Sequence, residues 1–233
     1  MDIFYLDKIG SGEAMLSQDE SLHAVKVLRL KEGDPVLLVD GKGSLHEGRI
    51  KEAHPKHCLV SLLSVMRDFE KRSYSLHIGM APTKNNERTD WFLEKATEIG
   101  IDEFSPLICR YSERRQINLS RLQKVAISAM KQSLKAFLPV IHPEVPFERF
   151  IRIPYDGKKF IAHCYPGEKP HLKDVISANQ NITILIGPEG DFSPEEVSLA
   201  RQQGFQEISL GKSRLRTETA ALVACHTAAL VNS

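Results

Sequence analysis

The sequence predicts an α/β protein in two parts, a small β domain over residues 1–70 and a larger domain built on a parallel sheet over residues 71–233. Three observations lead there. The last fifth of the chain repeats the order strand, glycine loop, helix twice over, the grammar of an α/β sheet. The first seventy residues instead join consecutive β-runs by turns, with no helical period between them. A charged run, Arg67-Asp68-Phe69-Glu70-Lys71-Arg72, separates the two grammars. With 233 residues and 42% hydrophobic content, the chain can bury a sizeable core.

Taken in order, Pro35 to Asp40 and Ser44 to Lys51 flank the turn Gly41-Lys42-Gly43, and His57 to Met66 continues as a further strand. Leu76 to Met80 opens the second domain as a strand, followed by a polar loop whose Lys84, Asn85 and Asn86 are candidate substrate contacts. A helix then runs to Gly100, suited to the left-handed end position, with Thr89 as the expected cap and Trp91, Phe92, Ala96 and Ile99 as a core stripe. From Ser120 to Phe137 a second helix places Leu122, Val125, Ala126, Ala129, Met130, Leu134 and Phe137 on one side. Arg121, Lys124, Lys131 and Lys135 fall together on the other.

Lys159 to Ala162 is a short strand ending at His163, and Asn181 to Ile186 is β-branched and apolar on both parities, as a strand covered on both faces requires. The chain leaves it through Gly187-Pro188-Glu189-Gly190, a loop that exposes backbone amides and carbonyls. Ser193, Pro194 and Glu196 form a capping box with proline at the first helical position, and Gly204 is the expected stop. Glu207 to Leu210 is the last strand. Gly211 turns the chain into Leu215-Arg216-Thr217-Glu218-Thr219, and a small-residue helix from Ala220 to Val231 opens at Thr217 or Thr219.

Ligands of open α/β sheets sit beyond the carboxyl ends of strands, where both glycine loops fall. A single such loop is as readily a plain turn. Two at matching positions point to a site.

The formal net charge of +1 conceals an asymmetry. Residues 1–70 carry 9 Lys and Arg against 12 Asp and Glu, the remainder 22 against 18. Between Arg110 and Lys135 stand Arg110, Arg114, Arg115, Arg121, Lys124, Lys131 and Lys135 with one acid, Glu113. A cluster of that kind can neutralise phosphates, although a solvated helix face has the same composition. Cys58, Cys109, Cys164 and Cys225 lie far apart with no paired metal-type spacing, so a reduced, cytoplasmic protein without a metal site is expected. No stretch reads as a secretion signal or a membrane span.

Gly187-Pro188-Glu189-Gly190, Leu210-Gly211 and Leu215-Arg216-Thr217-Glu218-Thr219-Ala220 together resemble the signature of the RsmE family of 16S rRNA (uracil-N3) methyltransferases, in the SPOUT superfamily. Trp91 to Gly100, Ser112-Glu113-Arg114, Gln132-Ser133 before Pro139, and His23 with Val27-Leu28-Arg29 match it in order and spacing, so the resemblance covers nearly the whole chain. It implies S-adenosylmethionine as methyl donor and N3 of a uridine near the 3′ end of 16S rRNA, in the small ribosomal subunit, as target. It further implies a SPOUT-type domain knotted as a deep trefoil, a PUA-like amino-terminal β-barrel that binds RNA, and a homodimer.

Residue by residue, the resemblance suggests a cofactor pocket from His163, Ile186, Gly187, Pro188, Glu189, Gly190, Leu210, Gly211, Leu215, Thr219 and Ala220. Lys26 and Arg29 join the basic cluster as RNA contacts. Arg216 is the candidate for stabilising charge on the uracil oxygens, since a guanidinium cannot deprotonate. Glu218 is the nearest candidate base, or else an acid that organises the first turn of its helix. Arg114 would bind phosphate or base from the other subunit. The chain departs from the family at Met1-Asp2-Ile3-Phe4, which lacks an arginine before the first aromatic, at Asp191 in place of a glycine, and at Lys131-Gln132-Ser133 with Lys135, where an acid and a later arginine are usual.

Two other readings share parts of this pattern. A methyltransferase acting on tRNA or on a ribose 2′-hydroxyl would keep the cofactor loops, but a ribose hydroxyl needs a stronger base than any in sight. A non-catalytic RNA-binding protein would need no pair of glycine loops.

Overall fold

A computed structural model describes all 233 residues and divides them into two compact units. The first comprises Met1–Lys71 together with Ile127–Leu138; the second comprises Arg72–Ala126 and Pro139–Ser233. The return of residues 127–138 to the first unit is not visible as a boundary in the sequence, because the division falls inside one continuous helix.

In the first unit, β1 (Asp2–Tyr5), β2 (Glu13–Met15), helix α1 (Gln18–Leu22), β3 (Pro35–Val39), β4 (Leu45–Glu52) and β5 (Leu59–Met66) follow in order. The strands form a five-stranded sheet ordered β1-β3-β4-β5-β2, antiparallel except that β1 runs parallel to β3. Alternating residues close a core of Phe4, Leu16, Val36, Leu38, Ile50 and Val60. The turn of π-helix at His23–Val27 carries Lys26, which is exposed, as is Arg29 in a left-handed conformation at φ 59°.

The second unit contains β6 (Leu76–Met80), α2 (Asn86–Ile99), β7 (Glu103–Ile108), the first part of α3 (Leu119–Gln132), β8 (Val140–Ile141), β9 (Val145–Pro146), α4 (Phe147–Phe150), β10 (Lys158–Ala162), α5 (Leu172–Val175), β11 (Ile182–Ile186), α6 (Pro194–Gln202), β12 (Gln206–Ile208) and α7 (Thr217–Val231). Its strands pair in parallel in the order β12-β10-β11-β6-β7-β8, with β9 also on β7. β6 and β11 are buried at every position, as strands covered on both faces must be. Burial also pushes the pKa of His77 on β6 down to about 4, so the ring is neutral at pH 7.

Several local expectations meet tertiary competition. Asn85, not Thr89, caps α2, its side chain accepting from Glu87 N at 3.0 Å. The Thr89 hydroxyl lies inside the helix and accepts from Thr83 N at 3.1 Å. Trp91 is 42% exposed, so Phe92, Leu93 and Ala96 make the core stripe without it. Helix α3 ends at Gln132, with Leu134 left-handed at φ 57° and 54% exposed. Phe137 lies beyond the helix, in an antiparallel bridge with Lys42 that holds its ring over Gly43. Leu122, Ala126, Ala129 and Met130 remain the buried face.

Candidate functional site

The carboxyl ends of three neighbouring strands, β12, β10 and β11, enclose a cleft of about 810 Å³. Each strand contributes its following loop: Ala162 to Tyr165 after β10, Ile186 to Glu189 with Asp191 after β11, and Ile208 to Thr217 after β12. The sequence placed two loops at matching positions. The structure inserts β10 between their strands, which makes His163, Cys164 and Tyr165 the third wall.

Side chains pin the loops to one another. Thr217 Oγ1 donates to Gly187 O at 3.0 Å, joining the two glycine loops. That role removes Thr217 as a cap, and Arg216 takes the N-cap position of α7 with no side-chain capping bond. A Cβ on Gly187 would stand 3.0 Å from Phe192 N, closer than ordinary van der Waals contact, so the close return of this loop favours glycine. Gly211 turns with φ 123°, a conformation that L side chains rarely adopt.

Asp191 explains its own departure from the family pattern. It sits at φ 65°, in the left-handed region that glycine enters freely and aspartate tolerates. Its carboxylate also accepts from Cys164 N and Phe192 N, each at 2.8 Å, tying the loops after β10 and β11 together. Burial, and then the Asp191 charge, hold the Cys164 thiol above its usual range.

Of the expected cofactor residues, His163, Ile186, Gly187, Pro188, Glu189, Leu210, Gly211, Leu215 and Ala220 line the cleft. Gly190 and Thr219 stand off its wall. Cys164, Tyr165, Lys169, Lys212, Ser213 and Arg214 line it without having been singled out. Lys212-Ser213-Arg214 was findable, lying between the two halves of the recognised motif. His163 is held structurally: Nδ1 accepts from Tyr165 N at 3.2 Å and Nε2 is 2.7 Å from Glu207 Oε2. With Nδ1 accepting, Nε2 carries the proton.

Arg216 lies on the cleft wall, exposed, and its guanidinium meets no acid or hydrogen-bond acceptor of the chain. Glu218 is different. It is 6% exposed, lies off the wall, and faces α2, where Oε1 stands 3.8 Å from Arg88 Nε while Oε2 has no hydrogen-bond partner.

Arg114 lines a second cleft, of about 450 Å³, with Lys84, Glu113, Arg115 and Gln116. Its guanidinium donates twice to Lys84 O, at 3.2 and 2.9 Å, and Lys84 N donates to Glu189 Oε1 at 3.0 Å. The loop after β6 therefore links Arg114 to the first glycine loop.

The basic cluster is less bare than its sequence. Arg110 pairs with Glu195 at 3.0 Å, Arg121 with Asp90 at 2.6 Å and Lys131 with Glu20 at 2.6 Å. Lys124 and Arg115 are exposed without an acid partner, and Lys135 is half-buried without one. The balancing acids come from α1, α2 and α6, distant in sequence.

Comparisons with known proteins agree with this geometry. Residues 70–229 match the family model of the RNA methyltransferase domain, and residues 16–63 match that of the RNA methyltransferase PUA domain. The chain belongs to the RNA methyltransferase family. Within it, the ribosomal RNA small subunit methyltransferase E of Rickettsia conorii is 30% identical over 222 residues, 94% of this chain and 90% of that protein. The crystal structure of a probable rRNA-methyltransferase from Porphyromonas gingivalis is 42% identical, with a TM-score of 0.93 over 100% of this chain and 98% of that one. The ribosomal RNA small subunit methyltransferase E of Neisseria gonorrhoeae, bound to S-adenosyl methionine, is 26% identical, with a TM-score of 0.89 over 100% of this chain and 98% of that one. Membership of the RNA methyltransferase family accounts for both expected parts, the α/β domain with its parallel sheet and the PUA-like β domain. No helix is long and apolar enough to cross a membrane.

Proposed function

We propose that this protein uses S-adenosylmethionine to methylate N3 of a uridine in 16S rRNA of the small ribosomal subunit, as a cytoplasmic homodimer. The observation that carries this reading is the cleft at three strand ends, closed by two glycine loops that Thr217 joins, with an unpaired Arg216 on its wall. About 810 Å³ lies in the range of small-molecule sites, and Ile186, Leu210 and Leu215 offer an apolar lining beside bare backbone. These residues fit a nucleoside-bearing methyl donor. Such a donor supplies an electrophilic methyl carbon.

The residues of the chain have the remaining tasks of alignment and charge stabilisation. Uridine N3 is protonated at neutral pH. As its proton departs to water, negative charge spreads to the two carbonyl oxygens, and the N3–C bond forms while the S–C bond breaks with its electron pair left on sulfur. Arg216 is placed to stabilise that charge. Glu218, buried and turned toward Arg88, takes the organising role at the start of α7 rather than that of base. Lys26, Arg29, Arg115, Lys124 and Lys135 would meet phosphates, and Arg114 would serve the partner's site.

The same reading includes a trefoil knot, which rests on the resemblance of the two glycine loops and their flanking residues to the family signature. Four free cysteines accord with a reducing compartment. Mass spectrometry of small-subunit rRNA from a strain lacking this protein tests the reaction: N3-methyluridine should disappear, and its persistence refutes the proposal. Calorimetric titration with S-adenosylmethionine separates the enzyme from a non-catalytic RNA binder, which would show no heat of binding.

A further inference from the structure

The amino-terminal end of the same parallel sheet holds a group that methyl transfer does not use. His77 on β6 and Glu103 on β7 are direct register partners. His142 follows β8, its N–H bonded to Phe104 O at 2.9 Å. The ligand-type atoms of the two imidazoles and the carboxylate all lie within 4.8 Å of one another. Glu103 Oε2 is 2.7 Å from His142 Nε2 and 3.9 Å from His77 Nδ1.

Two features set this group apart from an ordinary histidine and carboxylate pair. His77 is 6% exposed and its Nδ1 is buried with no hydrogen-bond partner, a loss of solvation that nothing in the chain offsets. Its other nitrogen, Nε2, is 2.8 Å from Ser105 Oγ, the kind of outer contact that orients a ligating histidine and selects the bare nitrogen. In the tautomer whose Nε2–H donates to the serine, Nδ1 is left bare on the side of Glu103 and His142. His142 Nε2, which donates to Glu103 at 2.7 Å, would give up that proton to a cation shared with the bare nitrogen of His77.

Phe150 and Tyr155 wall the His77 ring, each with its centroid 5.3 Å away. The side chains of Glu103 and His142 are 41% and 38% exposed, so an ion can enter from solvent.

We propose that His77, Glu103 and His142 bind a divalent transition metal of the zinc class, with water completing the coordination shell. Two imidazoles and a carboxylate suit Zn²⁺ and its neighbours. Metal–ligand bonds of about 2.0–2.2 Å put tetrahedral ligands roughly 3.3 Å apart. That value falls between the 2.7 and 3.9 Å now separating Glu103 from its two neighbours, and with all three atoms within 4.8 Å of one another the partly exposed Glu103 and His142 would turn toward buried His77 to close the shell. The ion would clamp β6, β7 and the segment after β8. The sequence expectation of no metal rested on cysteine spacing, whereas these ligands come from three strands far apart in the chain.

Full-length protein stripped by a chelator and titrated with Zn²⁺ alone, or with Co²⁺ alone under visible absorption, tests the site. One ion per chain is expected, with tetrahedral Co²⁺ bands and a raised melting temperature. His142→Ala and Glu103→Gln, both at partly exposed positions, should each weaken binding by roughly tenfold or more. His57→Ala, which disrupts the separate contact between His54 and His57, should leave it unchanged. Absence of saturable binding, or equal binding in His142→Ala, overturns the proposal.

Discussion

The two ends of the parallel sheet solve opposite problems with different strands. At the carboxyl ends of β10, β11 and β12 the chain keeps a cleft open by tying loops to one another, through Thr217 to Gly187 and Asp191 to Cys164. At the amino ends of β6 and β7 the space is filled, with aromatic rings packed around His77 and polar side chains in mutual contact. Short hydrogen bonds between loops can hold a void that hydrophobic packing would collapse. The difference separates residues expected to govern catalysis from those expected to govern stability or metal binding.

Arg216→Ala should break the comparison most sharply. Removing a cation aimed at developing charge should lower single-turnover methylation by about 10²–10³-fold, as loss of an oxyanion donor does. S-adenosylmethionine affinity, read by calorimetry, should change little. His142→Ala at the opposite end should leave the methylation rate near its original value, and an equal loss there would erase the distinction between the ends.

Thr217→Val should come next. It leaves the Gly187 carbonyl without its side-chain donor and should cost about 1–3 kcal/mol of stability in denaturant titrations. A weaker hold on the methyl donor should accompany it, because the lost bond joins two cleft walls.

Glu218→Gln sharpens the contrast within α7 itself. The amide keeps the size of the carboxylate but loses its charge toward Arg88, and kcat should fall by less than about tenfold with an unchanged pH profile. A loss of about 10² or more, with one limb of the profile gone, would make Glu218 the base.

The smallest change is expected for Asp191→Gly. Glycine relieves the left-handed backbone, worth about 1–2 kcal/mol, but forfeits two hydrogen bonds worth about 1 kcal/mol each. Thermal denaturation should shift little in either direction.

Much of the fold was legible because it depends on neighbours three or four positions apart. The capping box of Ser193 and Glu196, the proline at the start of α6, the left-handed Gly100 and the limits of β6 all follow from local hydrogen bonding and side-chain period. Thr89 misled because its hydroxyl could serve either its own helix or Thr83, and only folding chose. Phe137 misled because its helical spacing continues past the point where Leu134 turns left-handed. The bare appearance of the basic cluster dissolved for a similar reason, its acids being supplied by Asp90, Glu20 and Glu195.

By itself the sequence determined the types of most elements of the larger domain, the two glycine loops and the chemistry available in them, since backbone freedom and residue type are local properties; it did not mark the short helix Gln18–Leu22 of the first domain. Only the tertiary structure decided that β10 stands between β11 and β12, that Arg216 faces the cleft while Glu218 turns away, and that His77 meets Glu103 and His142. Those facts depend on strand order and register, which are set by the packing of whole elements against a shared core and leave no mark on any short stretch of chain.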